Sequence, residues 1–262
     1  MWTMLPTAVA LVLVAGFAPS AVAHELAPGG TLRVTFIAGN PVQANADPAT
    51  GELRGPAADL TRALGVTLGL PVTLNGVANA PAVIESVKTG AADIGFVAFD
   101  PVRAADVDFS QAYSLVQNTY MVLAASPLAS CTEADRPGVK IGVGARDAGD
   151  FFLTRTLKNA ELKRNTAGDL NAALRMLQAG EVDAYGANRQ RLTELAARTP
   201  GIRLMPDNFY AVEQSIIVPK GNRAGLDAID QFIDGARTSG LIKQAIERAQ
   251  LVGVDVAPPR RK

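Results

Sequence analysis

Two residue types that build most hydrolytic and metal sites are nearly missing: the chain of 262 residues has one cysteine, Cys131, and one histidine, His24. A single cysteine excludes an internal disulfide, and the pair cannot assemble a Cys/His zinc centre. A Ser-His-Asp triad would hang on a histidine at the very start of the folded part. No Gly-x-Ser-x-Gly elbow and no Gly-x-x-x-x-Gly-Lys phosphate loop occurs. No excess of either charge is present, with 25 Lys and Arg against 25 Asp and Glu. The lack of a basic field argues against non-specific nucleic-acid binding and says nothing against a local charged pocket. These absences leave no expected metal or cofactor and point away from the common enzyme classes.

One apolar run stands out, Ala8 to Phe17, followed by Pro19, Ser20 and the small-x-small string Ala21-Val22-Ala23. The run is shorter than the roughly 20 residues a membrane-spanning helix needs. The pattern predicts a signal peptide over residues 1–23, cut after Ala23, and a periplasmic mature protein.

The rest alternates short apolar runs with helix-like stretches. Strands are predicted at Thr31–Ala38, Pro71–Leu74 and Ala92–Phe96, with helices at Ala57–Leu68 and Pro81–Thr89 between them. Gly69 and Gly90 supply the helix stops. That βαβαβ order implies a parallel sheet flanked by helices. The order recurs with strands at Val139–Val143, Glu161–Arg164 and Val182–Tyr185 and helices at Gly149–Asn159 and Asp169–Ala179. Leu60-Thr61-Arg62-Ala63-Leu64 resembles Leu153-Thr154-Arg155-Thr156-Leu157, and Gly90-Ala91-Ala92-Asp93 resembles Gly180-Glu181-Val182-Asp183 at nearly the same offset. Two lobes of one architecture are therefore expected.

The last third does not repeat: a strand at Gln214–Val218, then helices at Leu226–Arg237 and Leu241–Gln250. It is expected to return to the first lobe. Lobe 1 then comprises 24–123 and 216–256, lobe 2 comprises 124–215, and 257–262 form a flexible tail. The crossings fall near Val122–Ser126 and Ala211–Ser215, and two such linkers permit hinge closure.

Ligands of open parallel sheets bind beyond the carboxyl ends of the strands. That rule nominates Gly39–Asn45, Phe96–Arg103, Gly144–Gly149 and Gly186–Arg189. The second segment reads Asp100-Pro101-Val102-Arg103, then Val107-Asp108-Phe109-Ser110-Gln111-Ala112-Tyr113. Here the chain resembles the extracellular solute-binding proteins of family 3, substrate-binding components of ABC transporters best known for polar amino acids. Those proteins carry a Thr-Pro-x-Arg-like turn followed by Val-Asp-Phe-Ser-x-x-Tyr. The resemblance extends to Gly55-x-x-x-Asp59-Leu60, Gly90-x-x-Asp93 and the closing helices, nearly the whole mature chain.

The resemblance implies a two-lobed periplasmic-binding-protein fold, an inner-membrane ABC permease as partner, and a monomer. It also implies that Arg103 grips a ligand carboxylate through two parallel hydrogen bonds. Arg146 is a candidate second ligand cation, and Asp147 is a candidate ligand contact or merely a helix N-cap. Phe96, Phe99 and Tyr113 are candidate apolar walls, with core packing expected for at least one. Several positions depart from the amino-acid binders. Asn188 stands where an Asp usually holds the ligand ammonium, Asn40 and Gln43 occupy the place of an aromatic lid, and Ala98 replaces a hydroxyl residue. An amide does not neutralise a buried ammonium as a carboxylate does. The expected ligand is therefore a small anionic solute, an organic acid or atypical amino acid. Alternatives are a dehydratase-like enzyme on the same scaffold, with Asp147 or Asp100 as general acid, and a periplasmic sensor acting in trans.

Overall fold

The computed structural model describes residues 21–47, 49–167 and 169–260. The apolar run Ala8–Phe17 and the first 20 residues of the expected signal peptide lie outside the described residues. Helix α1 (Ala21–Leu26) spans the expected cut and leads into β1 (Leu32–Ile37). A small ladder of β2 (Asn45–Ala46) and β3 (Leu53–Arg54) precedes α2 (Pro56–Leu68), β4 (Val72–Val77), α3 (Ala80–Lys88) and β5 (Ile94–Ala98). Strand β1 pairs in parallel with both β4 and β5, so the order is β4-β1-β5. After β6 (Val107–Phe109) and β7 (Ser114–Leu123), the same unit returns. It consists of β8 (Lys140–Gly144), α4 (Ala148–Thr156), β9 (Glu161–Asn165), α5 (Leu170–Gln178) and β10 (Ala184–Asn188). Strand β8 pairs in parallel with β9 and β10, giving β9-β8-β10. The chain closes with α6 (Arg189–Ala197), β11 (Ile202–Leu204), β12 (Tyr210–Pro219), α7 (Arg223–Thr238), α8 (Leu241–Arg248) and β13 (Val254–Val256).

The two units are joined through long antiparallel strands. Residues 210–214 of β12 pair with 118–114 of β7, β12 continues onto β5, and β7 continues onto β10. The crossings expected at Val122–Ser126 and Ala211–Ser215 fall at the end of β7 and within β12. Val122 already pairs with Arg203 of β11.

The repeat reaches down to single hydrogen bonds. Asp93 donates its N–H to the Arg33 carbonyl and takes the Arg33 N–H on its carboxylate at 2.7 Å. Asp183 does the same with Lys140, also at 2.7 Å. Each Gly-x-x-Asp string thus stops a helix at a left-handed glycine, Gly90 at φ 74° and Gly180 at φ 69°. Each then pins the entry of the central strand. Only the first copy adds an ion pair, Arg33 to Asp93 at 2.6 Å. Asp93→Ala should therefore cost ~2–3 kcal/mol and Asp183→Ala ~1 kcal/mol. Chemical denaturation of the two variants checks that order.

Period-2 alternation gives each half two cores, one per sheet face. Leu32, Val34 and Phe36 of β1 and Ile94 and Phe96 of β5 pack with Leu60 and Leu64 of α2, Ile229 and Ile233 of α7, and Ile242 of α8. Helices α7 and α8 thus pack against β1, β5 and α2. Val97 turns to the other face, with Val83 and Val87 of α3. In the second half, Tyr120 and Val122 face one core while Met121 faces the other. The expected tail starts later than residue 257. Ala257 is buried and donates its N–H to the Tyr113 carbonyl.

Candidate functional site

The ends of all six parallel strands point into one crevice of about 780 Å³ between the two units. The four segments nominated from sequence all contribute to its walls. So do Ala78–Pro81 after β4 and Thr166–Ala167 after β9, strand ends to which the same rule applied, and Arg191, Glu194 and Arg198 of α6. Val116 and Asn118 of β7 and Val212 and Gln214 of β12 also line it.

Arg103 sits on a short 3-10 turn at the end of β5 and is 7% exposed. Its guanidinium reaches across the crevice. One arm donates to the Ala98 carbonyl at 2.8 Å on its own side, and the other to the Arg146 carbonyl at 2.9 Å on the opposite side. The Phe151 ring lies 5.4 Å away, close enough for a cation–π contact. No carboxylate pairs with Arg103 among the described residues. Asp106, three residues on, is bound to Lys88 instead. Burial holds the guanidinium pKa below its ordinary value, against opposing pulls from Asp147 and Asp100.

The loop after β8 is shaped by a buried carboxylate that the sequence reading did not single out. Asp150 accepts the Arg146 N–H at 2.8 Å, the Thr154 hydroxyl at 3.1 Å and the Arg164 guanidinium at 2.9 Å. It holds Arg146 in a left-handed conformation, φ 64°, uncommon for a residue with a side chain. That turn presents the Arg146 carbonyl to Arg103. The Arg146 side chain is exposed at the rim.

Asp147 occupies the N-cap position of α4, but its carboxylate makes no cap bond. It lines the crevice and is accessible from it, though protein encloses it closely. That enclosure raises its carboxyl above the usual range, opposed by Arg191 and Arg103. Asn188 does cap its helix: its Oδ1 accepts the Arg191 N–H at 2.8 Å, and its Nδ2 approaches Asn40 Oδ1 across the crevice at 3.5 Å. Asp100, the other candidate acid, accepts from the Val102 N–H at 2.9 Å and pairs with Arg155 of the opposite unit at 3.0 Å.

Gln43 lines the crevice, yet its amide is engaged in the fold. Its Oε1 accepts the Ile37 N–H at 2.7 Å and its Nε2 donates to the Phe96 carbonyl at 3.2 Å. Phe99 does not reach the crevice, because the strand alternation turns its ring edge-on to Phe109 at 5.2 Å. Phe96 and Tyr113 are core residues, in edge contact at 5.7 Å. Ala98 does line the site, contributing its carbonyl to Arg103.

Among the described residues no helix is long and apolar enough to cross a membrane, and no cluster of potential metal ligands occurs.

The sequence pattern of the bacterial extracellular solute-binding proteins, family 3, matches residues 32–249. No curated protein sequence matches the chain. Solved structures share the fold at low identity. A mutant of ArgBP from T. maritima superposes with a TM-score of 0.71 at 19% identity, covering 87% of this chain and 99% of that one. An amino acid ABC transporter substrate-binding protein, AbpA, from Streptococcus pneumoniae bound to L-arginine gives 0.70 at 20% identity, covering 86% and 97%. An ancestral amino acid-binding protein described as a precursor of cyclohexadienyl dehydratase gives 0.70 at 21% identity, covering 88% and 99%. With its repeated α/β units, its two joining strands and its strand-end crevice, the chain belongs to the bacterial extracellular solute-binding proteins, family 3.

Proposed function

We propose that this chain is the periplasmic substrate-binding component of an ABC importer, and that it captures a small carboxylate-bearing solute between its two units. The observation that carries the reading is Arg103: a buried guanidinium in the crevice with only neutral carbonyls as hydrogen-bond partners. Burying a cation without a counter-charge is costly. A ligand carboxylate supplies the missing charge and matches the planar fork of donors. The solved relatives bound to arginine and lysine support a carboxylate-bearing ligand for this scaffold.

Residues 24–123 with 216–256, and 124–215, serve as the two lobes, with β7 and β12 as the hinge. Polar contacts already bridge the crevice at Arg103–Arg146, Asn188–Asn40 and Arg155–Asp100. A ligand that adds contacts on both sides shifts the balance further toward closure. An inner-membrane permease then reads the closed form, and Arg146 at the rim helps attract the anion.

A thermal-shift screen of the purified protein tests this. The panel holds α-amino acids, their deaminated 2-oxo acids, dicarboxylates and sulfonates. Binding to the folded state raises the melting temperature by mass action. A carboxylate-bearing compound should give the largest shift. A panel in which no carboxylate shifts the melt, or only amines do, overturns the reading. Product analysis of the same incubations separates capture from the dehydratase alternative, since a binder returns its ligand unchanged.

A further inference from the structure

Asp100 and Arg155 meet across the two units, yet neither lines the crevice. We propose that this pair is a clasp that holds the ligand-free protein closed, and that it sets the affinity for every ligand of the crevice without touching any of them. The inference rests on the two units acting as lobes that close on a ligand.

Helix α4 belongs to the second unit, where Leu153 packs in the core. Three other side chains of the helix meet the first unit or the joining strand β12. The Phe151 ring lies 5.4 Å from the Arg103 guanidinium. Phe152 stacks at 4.2 Å on Tyr210, the first residue of β12, which itself packs against the core of the first unit. Arg155 completes the row on Asp100 at 3.0 Å. Residues three and four apart share one side of a helix, so 151, 152 and 155 form a single contact face.

The carboxylate that receives Arg155 is fixed by its own turn. Asp100 Oδ1 accepts the Val102 N–H at 2.9 Å, and the Asp100 carbonyl accepts the N–H groups of Arg103 at 3.0 Å and Ala104 at 3.1 Å. The Asp100 side chain is only 3% exposed, and among the described residues Arg155 alone donates to Oδ2. Separating the units removes that donor from a carboxylate the fold has already desolvated. Arg155 is 47% exposed and keeps water on its remaining donors, so closure costs it little solvation. The clasp and the Arg103 grip stand on one turn, and the same closure sets both. Only the closed form brings both walls to a ligand, so apparent affinity scales with the fraction of protein that closes.

Small-angle X-ray scattering of the ligand-free protein tests the clasp. The proteins are wild type, Arg155→Gln, Arg155→Lys, Asp100→Asn and the double variant Asp100→Asn/Arg155→Gln, each freed of co-purified ligand and shown folded by its melting curve. Wild type should scatter as the closed form, with a radius of gyration of about 18 Å for a compact chain of this length. Arg155→Gln and Asp100→Asn should both give a larger radius, and Arg155→Lys a radius close to wild type. The double variant should be no more open than the singles, because all three lack the same interaction. A wild-type radius in Arg155→Gln overturns the proposal, and so does a wild type that stands open without ligand. L-Arginine, L-glutamine and 2-oxoglutarate are then titrated onto the same proteins. Each compound that wild type binds should weaken in Arg155→Gln by one common factor, about tenfold where the closed fraction falls from roughly nine-tenths to one-tenth. A factor that differs among compounds makes Arg155 a ligand contact and overturns the clasp. Failure of all three to bind counts against the Arg103 reading alone, and the scattering still decides the clasp.

Discussion

Arg103→Ala should weaken ligand binding by about 30- to 4,000-fold while the unliganded protein stays folded. The range corresponds to the ~2–5 kcal/mol lost when one partner of a buried, hydrogen-bonded charge pair is removed. The apo state is expected to change far less. Removal strands the Ala98 and Arg146 carbonyls without these donors, at ~1–3 kcal/mol. It also relieves the protein of a buried cation whose burial already works against its charged form. Arg103→Lys should recover little, because an ammonium offers neither the parallel donors nor the planar face that lies over Phe151. Calorimetric titration beside a melting curve separates the two effects. Full binding by Arg103→Ala would remove the guanidinium from the site.

How much of this was legible in the sequence depends on whether a feature is local. The helix stops at Gly69 and Gly90 were legible because a left-handed backbone selects glycine, and the two have φ of 66° and 74°. The repeat was legible because Asp93 and Asp183 do the same local work on Arg33 and Lys140. Helix α6 was not. Its mean hydropathy is low, and only two of its buried residues, Leu192 and Leu195, are apolar beside the buried Gln190, so no apolar stripe marks it. Strand β7 was read only as a crossing, although its alternating residues fill two cores.

Within the site, the strand-end rule located the four loops but not what each side chain does there. Gln43 and Phe99 are polar and apolar residues of the expected kinds in expected loops. One is engaged by backbone groups of β1 and β5, and the other is turned away by one step of strand alternation. Asp150 was hidden for the opposite reason. An acidic residue in the first turn of a helix reads as a favourable dipole contact, and only the folded chain shows it fixing the Arg146 turn.

Phe96→Ala should lower stability by ~3–5 kcal/mol, as for other aromatic truncations in a core. For a chain of this size that is a fall of roughly 6–20 °C in melting temperature. The ring is fully buried, stands edge-on to Tyr113 at 5.7 Å, and lies in the cluster that unites β1, β5, α2, α7 and α8. The same residue was a candidate wall of the ligand site, and the two roles predict opposite outcomes. As a core residue its loss destabilises the protein, while affinity measured well below the melting transition stays within about threefold. As a wall its loss would weaken binding and spare the melt. The distinction follows from strand geometry: Phe96 is two residues before Ala98, whose carbonyl anchors Arg103, but its side chain projects into the sheet face that the final helices cover. Phe96→Leu should give a graded loss, smaller than that of Ala, because part of the vacated volume is refilled. A large affinity loss with an unshifted melt in either variant would place the ring in the crevice after all.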